Sequence, residues 1–433
     1  MKTWKIALLG LGTVGSGIVT ILRTHAQRIE RQTGARFEVV GVLVRDRKKP
    51  RQVEVPHHLL TTDIEEIWER GADIVVDAMG GLDPALGYME EAISRKCHIV
   101  SANKELIAAY GAHLHDRAEA QQVSLLYEAS VGGGIPILNV LSQLLNANRI
   151  TRIYGILNGT TNYILTKMEE EQQPYDDVLA QAQALGFAEA DPTADVEGHD
   201  AFNKIQIIAR LCFGVDAQAI GSERIGITSI TGEEIELYGK LGYRIKLLAA
   251  AEERGSGYDL RVAPTLVPYG HQLAGVKNEY NAVYVSGDVV GDLLFTGKGA
   301  GMLPTGSAMV EDILNAVRKT TFVPDRDVRT VKEEAQDVRH VASVVALYEV
   351  PQQAEDSAKQ RILSFLSAEA GFLHAVDTLQ TKEGTYIAAI LSGADRQVLQ
   401  AFADHVGASL RLRAILDDSL AVAIEEAGVT LSR

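Results

Sequence analysis

The stretch KIALLGLGTVGSGIVTILRTHAQRI, residues 5–29, decides the fold. It opens on a short apolar run, passes through three glycines, and continues with apolar residues at helical spacing, which is the order strand, glycine turn, helix. Gly10, Gly12 and Gly15 sit where a tight turn, a bare backbone and close strand–helix packing are needed if a pyrophosphate is to rest on a helix N-terminus. Thr13 and Val14 then open that helix. A purely structural glycine turn is the alternative, and the position after a strand and before a helix favours the dinucleotide reading.

Further strands are expected at FEVVGVLV (37–44), ADIVVDAM (72–79), HIVSAN (98–103) and SLLYEAS (124–130). Helical patterns, DPALGYMEEAISR and ELIAAYGAHLHDRAEAQQ among them, alternate with these strands. Such alternation predicts an α/β fold with a Rossmann-type, doubly wound parallel sheet over residues 1–130. After the second strand stands RDRKKPRQ, with Arg45 beside Asp46. An acid here would hold the ribose hydroxyl of NAD, whereas cations suit the 2′-phosphate of NADP. The run favours NADP with NAD left open, and a solvated charged loop is its plain alternative.

The chain has 433 residues, 46% of them hydrophobic, enough for two or three domains. Forty-two basic against 57 acidic residues give a net charge of −15, which disfavours a nucleic-acid partner. No run of eighteen apolar residues and no cleavable leader pattern stands out, so a cytoplasmic protein without a membrane partner is expected. Cys97 and Cys212 are the only cysteines and lack CxxC spacing, which argues against a disulfide framework or a zinc cluster.

Beyond residue 130 the pattern changes. ASVGGGIPILNVLSQLL is a glycine-rich turn opening a helix, and RITRIYGILNGTTNYILTKMEEE a strand leading to a helix through NGTTN. Later runs, YRIKLLAAAEE, YDLRVAPTLVP and NAVYVSGDVVGDLLFTG, suggest a mixed sheet in a second, α+β substrate domain over 131–299. A glycine turn and helix at 300–320 are expected to return to the first domain. The charged stretch 323–340 reads as a linker. After it, residues 341–433 alternate as strand, helix, strand, strand, helix, strand, the ferredoxin-like order, in a unit expected to be separable from catalysis.

The segment EADPTADVEGHDAFNKI, residues 189–205, carries the chemistry. A helix beginning near Asp195 places Asp200 and Lys204 four apart on one face, above Ile207, Ile208 and Leu211. An exposed ion pair contributing ~0.2–0.5 kcal/mol, with Asp195 as helix cap, is the plain reading. It leaves unexplained a glycine, Gly198, in the first turns and a lysine entering an apolar run, where a partly desolvated lysine beside a carboxylate is suited to proton transfer. A metal site is disfavoured, because His199 lacks a ligand partner at helical spacing and His113 and His115 lie two apart. In IVSANKELI, Lys104 follows Asn103 at the C-terminal end of a parallel strand, where ligands of open α/β sheets gather.

GLGTVG, SANKELIA, YEASVGGGIP, GILNGTTNYIL, EADPTADVEGHDAFNK and GAGMLPTGSA, in this order and over residues 1 to about 320, resemble homoserine dehydrogenase. The resemblance implies reversible interconversion of aspartate 4-semialdehyde and L-homoserine with NAD(P)(H), on the route to threonine and methionine, by a homodimer or higher oligomer. It implies Lys204 as proton donor and acceptor, assisted by Lys104 and Asp200, and places the amino-acid substrate on Glu189, Asp195 and Thr160. The cofactor would meet Gly10, Gly12, Thr13, Val14, Gly15, Arg45, Gly80, Lys104, Gly186 and Gly301. Glu128, Val131, Gly133 and Ile135 match a sodium-binding loop of backbone carbonyls plus one carboxylate. The C-terminal unit resembles an ACT regulatory domain, yet PQQAEDSAK replaces the Pro-Gly ligand loop, which puts threonine binding in doubt. Two rivals stay open. An aspartate semialdehyde dehydrogenase would need a reactive cysteine, and a non-catalytic NAD(H)-sensing regulator would need neither Lys204 nor Glu189.

Overall fold

A computed structural model describes residues 1–215, 222–254, 257–318, 322, 343–352, 355–368, 370–382 and 384–416. The first part runs β1 (Lys2–Leu9), α1 (Thr13–Thr24), α2 (Ala26–Thr33), β2 (Ala35–Leu43), β3 (Leu60–Thr61), α3 (Ile64–Glu69), β4 (Ile74–Asp77), α4 (Ala85–Ser94), β5 (His98–Ser101), α5 (Lys104–Ala120) and β6 (Leu125–Leu126). These strands form a parallel sheet in the order β3-β2-β1-β4-β5-β6, the doubly wound order. Ile6, Leu8, Ile74, Val76 and Val100 are fully buried, as continuous apolar runs covered by helices on both faces must be. The topological switch falls between β1 and β4. The Gly10 turn, the Gly80 loop and the start of α5 therefore share the end of the sheet where such folds bind ligands.

The second part adds α6 (Ile137–Asn139), β7 (Ile150–Ile156), α7 (Gly159–Glu171), α8 (Tyr175–Ala184), α9 (Thr193–Val196), α10 (His199–Phe213), β8 (Ser222–Arg224), α11 (Gly232–Lys240), β9 (Tyr243–Arg254), β10 (Gly257–Pro268), β11 (Tyr280–Gly287), β12 (Gly291–Lys298) and α12 (Met302–Val317). β12, β11, β7, β9 and β10 pair antiparallel in that order. α12 packs against α1 where two glycines meet: a side chain on Gly17 would lie 2.0 Å from the Met302 carbonyl oxygen, and one on Gly306 2.9 Å from Gly17. Two local expectations shift. SLLYEAS holds only two strand residues before a 3-10 turn at Glu128–Ser130, and the helix after the glycine-rich turn is three α-helical residues followed by a π-helical turn, Val140–Leu144.

β13 (Ser343–Pro351), α13 (Glu355–Ala368), β14 (Phe372–Gln380), β15 (Gly384–Ser392), α14 (Arg396–Val406) and β16 (Ser409–Ile415) follow in the expected order and are the last elements among the described residues. The linker read at 323–340 lies outside the described residues. The last unit is not a free appendage. β16 pairs with β10, joining Thr265 to Ala414 and Leu266 to Ile415, so ten strands form one continuous sheet. Strand alternation then divides β13: Val344, Ala346 and Tyr348 lie in a core shared with α13 and α14, whereas Val345 and Leu347 join the core of the main body.

Candidate active site

Three helix N-termini set the site. α5 starts where Asn103 caps the Leu106 N–H at 3.2 Å, and α7 where Asn158 caps the Thr161 N–H at 2.8 Å. Asparagine fits both places because its side-chain oxygen satisfies an N–H that the helix leaves free. α10 begins one residue after Gly198, not near Asp195. Gly198 is the left-handed residue (φ 78°) between α9 and α10, packed against Val262. The backbone turn there requires glycine, so its presence needs no ligand.

Asp200 is the hub of the cluster. Its Oδ2 accepts from Lys204 Nζ at 2.7 Å and from Asn158 Nδ2 at 2.9 Å, and its Oδ1 pairs with Lys104 Nζ at 2.5 Å. Lys204 also donates to the Leu157 carbonyl oxygen at 2.7 Å. Burial works against the ionised Asp200 carboxylate, yet Lys204 and then Lys104 outweigh it and hold the carboxyl well below the usual carboxylate range. Lys104 answers in the same coin: burial disfavours its charge, Asp200 more than compensates, and the net shift is upward. Its placement on the first turn of α5, beside the positive helix end, is offset by this carboxylate.

Asp195 flanks the hub. Asn158 Nδ2 donates to its Oδ1 at 2.7 Å, and the Thr160 hydroxyl lies 3.0 Å from its Oδ2 and 2.6 Å from the Phe187 carbonyl oxygen. Burial, followed by the Asp200 charge, raises its carboxyl. Glu189 lies in the exposed segment just beyond Phe187, its carbonyl held by the Gln183 amide at 3.0 Å. Lys204, Asp200, Lys104, Asp195 and Thr160 therefore converge, with Glu189 on the adjoining segment. Asn158 was not singled out from the sequence, although it bonds both aspartates and lies within the quoted NGTTN. A second omission is Asp77 at the end of β4, whose Oδ2 accepts from Ser101 at 2.9 Å while the Asn103 N–H donates to the Ser101 hydroxyl at 3.1 Å. Burial pushes its carboxyl up to about 6 against the Met79 N–H and Ser101.

On the cofactor side the three glycines divide their work. A side chain on Gly15 would lie 2.3 Å from the Gly10 carbonyl oxygen, whereas one on Gly12 would meet nothing within 4 Å. The open face at Gly12 adjoins the start of α1, which has no side-chain cap, so the Thr13 and Val14 end of the helix suits a pyrophosphate. Arg45 and Gly80 are exposed at the same end of the sheet, and Gly301 leads into α12. Gly186 has a local reason of its own, as it ends the turn that closes α8.

The Glu128 carboxylate is held by the turn that follows its own loop. Its Oε1 accepts the Leu138 N–H at 2.8 Å, and its Oε2 accepts the Asn139 N–H at 2.7 Å and the Asn139 side-chain amide. The carboxylate caps the short helix at Ile137. Asp312 accepts the Glu128 N–H at 2.7 Å, and its other oxygen has no hydrogen-bond partner among the described residues. Burial raises both carboxyls, Glu128 to about 7 and Asp312 well above the usual range. Two buried acids, one with an unpartnered oxygen, would suit a nearby monovalent cation.

His113 bonds Glu90 at 2.7 Å and His115 bonds the Tyr127 hydroxyl at 3.0 Å. Cys97 is buried, donates to the Ala72 carbonyl at 3.1 Å, and has its thiol pushed up to about 11 by burial and then by Asp73, the opposite of an activated thiolate.

Comparison with known proteins agrees with this geometry. The family described as homoserine dehydrogenase matches residues 136–314, and the homoserine dehydrogenase NAD-binding domain matches residues 10–128. A homoserine dehydrogenase of Synechocystis sp. is 49% identical over 322 residues, 73% of each chain. The crystal structure of a homoserine dehydrogenase from Thiobacillus denitrificans superposes with a TM-score of 0.84 at 34% identity, covering 96% of this chain and 99% of that one. A hyperthermophilic archaeal homoserine dehydrogenase in complex with NADPH superposes with a TM-score of 0.63 at 25% identity, over 74% and 99% of the two chains. With a Rossmann sheet, a second mixed sheet and a lysine-bearing helix between them, the chain belongs to the homoserine dehydrogenase family of NAD(P)-dependent oxidoreductases.

Proposed function

We propose that Lys204 moves the proton in the interconversion of aspartate 4-semialdehyde and L-homoserine, with Asp200 and Lys104 holding it in place. The observation that carries this reading is one buried carboxylate bridging two lysines, at 2.7 Å and 2.5 Å. When bound, the nicotinamide supplies or accepts the hydride. Lys204 spends two of its three N–H bonds on Asp200 and the Leu157 carbonyl, and the third is left for the substrate oxygen. In reduction that N–H donates its proton as the carbonyl oxygen gains negative charge, and in oxidation the neutral amine takes the hydroxyl proton. Lys104, with its side chain 37% exposed, presents a second positive charge toward the cleft. Glu189 binds the substrate ammonium, a cation that needs a carboxylate, and Asp195 and Thr160 fix the wall beside it.

The cofactor reading is NADP with NAD as the alternative. It rests on Arg45 and the cations behind it, and on the NADPH bound by the archaeal relative. Glu128, Val131, Gly133 and Ile135 would hold a sodium ion in this proposal. Residues 1–130 with the 300–320 helix form the cofactor domain, 131–299 the substrate and dimerisation domain, and 341–433 a divergent ACT-like unit, in a cytoplasmic homodimer or higher oligomer. The buried thiol of Cys97 speaks against a cysteine-dependent semialdehyde dehydrogenase, and the clustered lysines against a non-catalytic sensor.

The test is Lys204→Ala. Loss of a positioned acid–base group lowers turnover by ~10²–10⁴-fold in both directions, while NADPH binding, measured by fluorescence, stays near wild type. Near wild-type turnover would remove the assignment.

A further inference from the structure

β7 ends at Ile156, one residue before the carbonyl that receives the Lys204 ammonium. Ala282 of β11 stands opposite Ile156 in the ladder, which brings Asn281 beside Leu157. There a side chain takes over from the backbone: Asn281 Nδ2 donates to the Leu157 carbonyl oxygen at 2.9 Å, the same oxygen that accepts Lys204 Nζ at 2.7 Å. Asn281 is fully buried, and its Oδ1 has no hydrogen-bond partner among the described residues. A buried amide oxygen left unpaired is costly, so an apolar residue would suit the position better if the Leu157 contact had no use. Room for the amide is kept by Gly299, where a side chain would fall 2.2 Å from the Asn281 Cγ and Nδ2. That glycine opens the turn entering α12.

We propose that Asn281 is a positioning residue for Lys204. By sharing the Leu157 carbonyl it fixes where that oxygen points and weakens its hold on the lysine, so the ammonium gives up its proton more readily. The inference rests on the acid–base role of Lys204. The charged groups around that lysine are Asp200 on its own helix, Lys104 from α5, which meets it through the Asp200 carboxylate, and Asp195 from α9. β7 and β11 contribute a neutral carbonyl and a neutral amide. Removing the amide thus perturbs the lysine without changing any charge.

The experiment is the pH dependence of kcat for homoserine oxidation in wild type, Asn281→Leu, Asn281→Ala, Asn281→Asp and Lys204→Ala. In this direction the lysine must be neutral, so kcat rises through its pKa. Asn281→Leu moves the midpoint up by less than the roughly 0.5–1 pH unit that one whole neutral hydrogen bond represents, because the lysine keeps its own contact with the Leu157 carbonyl. Asn281→Asp moves it further, as any added negative charge would, so Asn281→Ala, which removes the amide without adding charge or bulk, decides if the leucine variant does not fold. Purely structural damage lowers the plateau and leaves the midpoint unmoved. Wild-type or lower midpoints in the folded leucine and alanine variants overturn the proposal, whereas near wild-type turnover by Lys204→Ala overturns the acid–base role itself.

Discussion

Glu234→Ala should destabilise the protein by about 3 kcal/mol, because it dismantles the joint between α11 and the C-terminal unit. Thr231 and Glu234 have the Thr-x-x-Glu spacing of a capping box, and Thr231 fulfils its half by accepting the Glu234 N–H at 3.3 Å. The glutamate side chain goes elsewhere. Its Oε1 accepts from Arg413 Nε and from the Tyr238 hydroxyl, both at 2.8 Å, and its Oε2 accepts from Arg411 at 3.2 Å. Glu234 is 0% exposed and Arg413 7% exposed, so this ion pair lies out of water. Alanine would leave Arg413 buried without a counterion, with a guanidinium nitrogen that already lacks a partner among the described residues. Breaking a buried pair in this way costs about 3–5 kcal/mol. The lower end applies, because Arg411 is 28% exposed and keeps Glu349. Glu349→Ala, which breaks the more exposed pair together with the hydrogen bonds from Tyr386 and Ser409, should cost about 1 kcal/mol, clearly less than Glu234→Ala. Replacing both buried partners, Glu234→Met with Arg413→Met, should recover most of the loss. Urea unfolding followed by circular dichroism measures all three. Equal costs for the Glu234 and Glu349 variants, or a Glu234→Ala protein as stable as wild type, would refute the reasoning.

Three further outcomes are expected. Glu189→Gln should raise the KM for homoserine far more than that for the cofactor, by the ~1.5–3 kcal/mol of one charge-assisted contact, and equal weakening of both ligands would assign Glu189 to stability instead. Arg45→Ala should weaken NADPH binding more than NADH binding, and an unchanged ratio of the two dissociation constants would return the exposed 45–52 loop to a solvated surface. Asp77 has its carboxyl raised to about 6, against ~3.9 in an unfolded chain, so between these values the folded protein binds more protons and gains stability as pH falls. Above that window the buried charge is a cost, and Asp77→Asn should stabilise by about 1–3 kcal/mol at pH 8 and by little near pH 4. A gain independent of pH in urea titrations would contradict this.

The parallel sheet was legible because strands buried on both faces are unbroken apolar runs, such as IALL and IVVD, and because the glycine turn marks the switch point. The Asp200–Lys204 face could be read from helical spacing alone. What the sequence concealed depends on neighbours distant in the chain. Lys104 and Asp200 meet at 2.5 Å although 96 positions separate them, and no local pattern shows that pairing. Gly198 was assigned to a helix because periodicity does not reveal a left-handed residue between two helices. That the Glu128 carboxylate caps residues 137–139 is settled only by the fold, about ten positions further along the chain. That the C-terminal unit continues the main sheet through β10 and β16 was not legible either, since a strand's alternation shows that both faces are apolar but not which neighbours cover them.

The most direct test of the central claim is the initial rate of NADPH oxidation on addition of aspartate 4-semialdehyde, followed by absorbance, for wild type and Lys204→Ala side by side. The account predicts turnover by the wild-type protein with L-homoserine as the product, and a ~10²–10⁴-fold loss in the variant. Wild-type protein that binds NADPH but leaves it unoxidised, or a variant that oxidises it at the wild-type rate, would contradict it.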